Sequence, residues 1–92
     1  MNSTTGIYAS GVTIVSDCHG FDPVSAIYLD NEFKQQGSYS PDMVKYLFDS
    51  INVPYNFFVV DADWIYDRRE FFPQNLSDVK IDLNDKRNIL IF

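Results

Sequence analysis

Residues 55–72 read Tyr-Asn-Phe-Phe-Val-Val-Asp-Ala-Asp-Trp-Ile-Tyr-Asp-Arg-Arg-Glu-Phe-Phe, and they hold the densest apolar run, the single Trp and a cluster of charges. Phe57, Phe58, Val59 and Val60 are apolar at successive positions. Successive strand residues point to opposite faces, so this run predicts a strand buried from both sides and central in its sheet. Downstream, Asp61 can cap a short helix that carries Trp64, Ile65, Arg68 and Phe71 or Phe72 on related faces, and Pro73 ends it. Asp-Arg-Arg-Glu is poor strand material, which favours the short helix over an extended arm across residues 62–72.

Working back from this stretch, Ser40-Pro41-Asp42 gives the clearest local signal. Ser40 supplies a capping hydroxyl, Pro41 a preset φ and Asp42 a charge matched to the helix dipole. Met43, Val44, Tyr46, Leu47, Phe48 and Ile51 then recur at helical spacing, with Lys45 and Asp49 expected on the wet side. The helix over residues 40–51 ends where Asn52 can adopt a left-handed cap and Pro54 forbids continuation. It is expected to pack back onto the strand at 57–60.

Residues 7–16 are rich in β-branched side chains, with Gly11 suited to a bulge or a close backbone approach, and form a first strand. Residues 24–33 form a second, antiparallel to the first, with Asp30-Asn31 as a turn or bulge, and residues 34–39 read as polar loop. Val79, Ile81 and Leu83 alternate with Lys80 and Asp82, and residues 88–92 are apolar to the last, so these two segments read as a hairpin. The order predicts an α+β fold in a single domain, 1–92, with a mostly antiparallel sheet of about five strands and one main helix on a face.

The net charge of −6 argues against nucleic acid as a direct ligand, because phosphates call for Lys and Arg. It points to a protein partner with a basic surface. Residues 1–60 carry six acids against two bases, and residues 61–92 seven against five, so the first part is the more purely acidic. Asp17, Asp22, Asp30, Glu32 and Asp42 fall in expected loops and strand ends, where they can gather on one rim, although an ordinary solubilising surface is the simpler reading. One Cys cannot form an internal disulfide, and neither a signal-peptide pattern nor a run of about 20 apolar residues is present, which suits a soluble cytoplasmic protein. Asn2-Ser3-Thr4 and Asn75-Leu76-Ser77 match the glycosylation pattern by chance in such a setting.

Three constellations invite chemistry. Asp17-Cys18-His19 sets a carboxylate, a thiol and an imidazole side by side, but adjacent residues rarely converge on one metal and point to opposite faces when extended, so a turn is the better reading. Asp61 and Asp63 would share a face at the end of a buried strand, as metal-binding acids do, yet no phosphate loop or nearby base accompanies them and a helix cap explains Asp61 as well. Trp64, Tyr66, Arg68 and Arg69 are of the types enriched at protein–protein hot spots, interleaved with Asp67 and Glu70.

No catalytic set, metal site or cofactor motif emerges. The chain reads as a small acidic non-enzymatic binding protein, in its specific form an inhibitor that occupies a basic surface of a nucleic-acid-handling enzyme, as immunity, anti-restriction and anti-CRISPR proteins do. The contact residues expected from sequence are Asp61, Asp63, Trp64, Tyr66, Asp67, Arg68, Arg69 and Glu70, with Asp30 and Glu32. A homodimeric adaptor is the alternative, followed by a small metal-dependent enzyme using Asp61 and Asp63.

Overall fold

A computed structural model of the chain describes residues 3–4, 10–17, 23–69, 71–86 and 88. The elements run β1 (Ser3–Thr4), β2 (Val12–Asp17), β3 (Val24–Leu29), β4 (Glu32–Gly37), α1 (Pro41–Ser50), β5 (Tyr55–Val59), α2 (Ala62–Asp67), a 3₁₀ turn (Leu76–Asp78) and β6 (Ile81–Asp82). The fold is α+β. Among the described residues its main sheet has four strands in the order β4-β3-β2-β5; β2, β3 and β4 pair antiparallel, and β5 lies parallel to β2.

Among the described residues the inner strands are therefore β2 and β3, and β5 lies at the edge, where its apolar run predicts a central strand. Registry explains the pattern. Ile14 pairs with Ile27 and Phe57 on one face, while Val15 pairs with Ala26 and Phe58 on the other. Both flanks of β5 are covered by other layers, and its free edge meets Asn88, whose side-chain amide exchanges two hydrogen bonds of 2.8 Å with Val59. An edge strand thus acquires the composition of a central one.

Between β3 and β4 the chain reverses in two residues. Asp30 (φ 49°) and Asn31 (φ 74°) both sit in the left-handed region, the geometry that matches the twist of a tight hairpin. Asp30 is anchored twice to Gly11: its amide donates to the Gly11 carbonyl at 3.0 Å, and its carboxylate accepts from the Gly11 amide at 2.8 Å. Gly11 itself has φ 76°, which explains a glycine just ahead of β2. Residues 34–39, expected as loop, instead supply most of β4, a polar edge strand with a register irregularity opposite Ile27 and Tyr28.

The core lies on the Val15 face. There Val15, Ala26 and Tyr28 meet Val60, Ile65 of α2, and Leu76, Val79 and Ile81 of the last described stretch. Phe33 packs edge-on against Tyr28 at 5.8 Å, and the Tyr28 hydroxyl donates to the Pro73 carbonyl at 2.5 Å. Helix α1 lies on the opposite face: the Lys45 ammonium sits 3.8 Å from the centre of the Phe57 ring, and Phe48 lies 6.3 Å from Tyr55. The molecule is a sheet with α1 on one side and α2 plus the 71–81 segment on the other.

Two further expectations change. The strand expected at 79–83 is only Ile81–Asp82, and its described partner is β1, with Thr4 opposite Ile81. The rest of the expected hairpin, residues 89–92, falls outside the described residues, as do residues 7–9 of the expected first strand and Cys18 and His19. No helix among the described residues is long and apolar enough to cross a membrane.

Candidate functional site

Helix α1 forms as its sequence dictates. The Ser40 hydroxyl accepts from the Met43 amide at 3.2 Å, Pro41 opens the first turn, and Asn52 at φ 58° closes the end. Its apolar stripe is not fully used, however. Only Val44 is buried; Met43, Tyr46, Leu47 and Ile51 are 53%, 75%, 55% and 58% exposed. At about 100° per residue the six apolar positions cover roughly 200° of the helix circumference, twice the width of an ordinary core-facing stripe. Val44 and Phe48 occupy the part turned to the sheet, and the remainder faces outward. Lys45, expected on the wet side, lies over Phe57 instead.

Beside the outward part runs a groove of about 420 Å³. Ile27, Gln35 and Tyr39 form its sheet side, and Met43, Val44, Tyr46 and Leu47 its helix side. Tyr39 is held from two directions. The Gln35 amide donates to its hydroxyl at 3.0 Å, and the Ser25 hydroxyl donates to its carbonyl at 2.8 Å. Because Ser25 spends its only proton on Tyr39, the 2.7 Å contact between Ser16 and Ser25 has Ser16 as donor. The Tyr39 ring lies directly over Gly37, where a β-carbon would come within 2.7 Å of it. This polar chain on β2 and β3 fixes the connection into α1 and hence the groove's geometry. At the far end of α1, Tyr55 points its hydroxyl at Asp49 (3.5 Å), and desolvation, with the nearby carboxylate, raises its pKa.

The residues expected from sequence to form the contact surface divide among different places. The Asp61 carboxylate accepts from the Trp64 amide at 2.9 Å and caps α2. Trp64 packs partly against the core, and the Arg68 guanidinium lies 5.3 Å from the centre of its ring while its Nε donates to the Phe71 carbonyl. Asp63, Tyr66, Asp67 and Arg69 are exposed, Tyr66 at 80%. Arg69 (φ 55°) and Phe71 border a small hollow of about 260 Å³ against Gly37 and Ser38. Glu70 is outside the described residues.

Asp30 and Glu32 lie at the other end of the sheet from α2. Asp30 is engaged with Gly11, and Glu32 pairs with Lys34 at 3.4 Å. Asp17 is buried at the end of β2, Asp42 is exposed at the start of α1, and Asp22 is outside the described residues. The described acids of the first part therefore do not share one rim. Among the described residues, no three His, Cys, Asp or Glu side chains come together as a metal site.

Sequence reasoning passed over the groove. The signal present was the excess width of the α1 stripe, more apolar arc than one sheet face can cover. Comparison with protein-family models, with curated proteins and with solved structures finds no match to this chain.

Proposed function

We propose that the protein is a non-enzymatic binding protein that docks on a protein partner with a basic surface, in its specific form an inhibitor of a nucleic-acid-handling enzyme. The observation that carries the binding role is the outward apolar side of α1, four large apolar residues exposed beside a groove. Exposed apolar patches of this kind mark interaction surfaces on soluble proteins. The net charge of −6 supports the choice of a basic partner, since opposite fields steer association. The exposed Tyr66, Arg69 and Phe71 on the other layer offer a second, smaller contact region.

Titration against a panel of basic nucleases and other nucleic-acid-handling enzymes tests this reading. Micromolar or tighter association with at least one of them, weakening as salt rises, is the expected result. Absence of association at low salt across the panel removes the inhibitor role. The homodimeric adaptor is the second reading, favoured by the same exposed stripe if a second copy covers it. Sedimentation separates the two, a monomer at micromolar concentration for the first and a dimer for the second.

A further inference from the structure

We draw no further inference here: the strongest candidate, the apolar groove between α1 and the β3–β4 half of the sheet, lined by Ile27, Met43 and Leu47, carries none, because nothing in the structure shows what covers it.

Discussion

Replacing Asn88 with Ala is expected to lower the free energy of unfolding by about 2–5 kcal/mol. Asn88 is 1% exposed and Val59 fully buried, and the amide of one does for the other what a neighbouring strand would do. The Val59 N–H donates to Oδ1 at 2.8 Å, and Nδ2 donates to the Val59 carbonyl at 2.8 Å and to the Asp82 carbonyl at 2.7 Å. Which amide atom faces which way is settled by these partners, since only the nitrogen donates. An Ala there leaves two buried main-chain groups of Val59 without partners, at about 1–3 kcal/mol each. N88D separates the contributions, because a carboxylate keeps the acceptor and loses both donors. Denaturant unfolding reads the loss, and hydrogen exchange at Val59 should quicken in step with it. The variant also exposes the edge of β5, a pairing template, so it should aggregate more readily than the parent chain. A stability within about 0.5 kcal/mol of the parent would show that the Asn88 clip carries no weight.

The second large effect is expected at Tyr28. Y28A removes a fully buried ring that packs edge-on against Phe33, at a cost of about 3–5 kcal/mol. Y28F isolates the hydroxyl: it keeps the ring but leaves the buried Pro73 carbonyl without its donor, for a loss of about 1–3 kcal/mol. The same hydroxyl gives a pH signature. Burial raises its pKa above the ordinary 10.0, with the Arg68 charge opposing and Asp78 adding to the rise. A phenol is neutral when protonated, so a raised folded value means that the native state holds the proton more tightly than the unfolded chain. The corresponding stabilisation is fully present below pH 10 and is lost as pH climbs above it toward the folded pKa. Thermal unfolding midpoints measured upward from pH 9 should fall more steeply for the parent than for Y28F; parallel curves would contradict the assignment.

The parts of the fold legible in the sequence were those fixed by local chemistry. Ser40, Pro41 and Asn52 specify the ends of α1 through caps that need no distant partner, and Asp61 does the same for the start of α2. Asp30-Asn31 marks its turn because both residues tolerate positive φ. What depends on distant neighbours was read less well. The apolar run at 57–60 reports burial by the layers above and below, and says nothing of lateral neighbours, so an edge strand sealed by Asn88 looked central. Residues 34–37 looked like loop because an edge strand with a wet outer side can afford Lys and Gln. The cluster of Trp, Tyr and Arg signals a contact surface by residue type, but Trp64 is partly core and Asp61 is a cap. The α1 stripe was read as core for the complementary reason: periodicity shows which residues are apolar together and cannot show how much of that arc the rest of the chain covers.

On the function proposed above, the outward side of α1 serves binding and is not part of the core. The stability of the M43Q/L47Q variant tests it most directly, since Gln matches Met and Leu closely in helix propensity and differs in polarity. With Met43 and Leu47 more than half exposed, the expected unfolding free energy lies within about 0.5 kcal/mol of the parent chain, measured in denaturant. A loss of about 2 kcal/mol or more, the range of buried apolar truncations, would show that these side chains hold the fold together and are not a free surface.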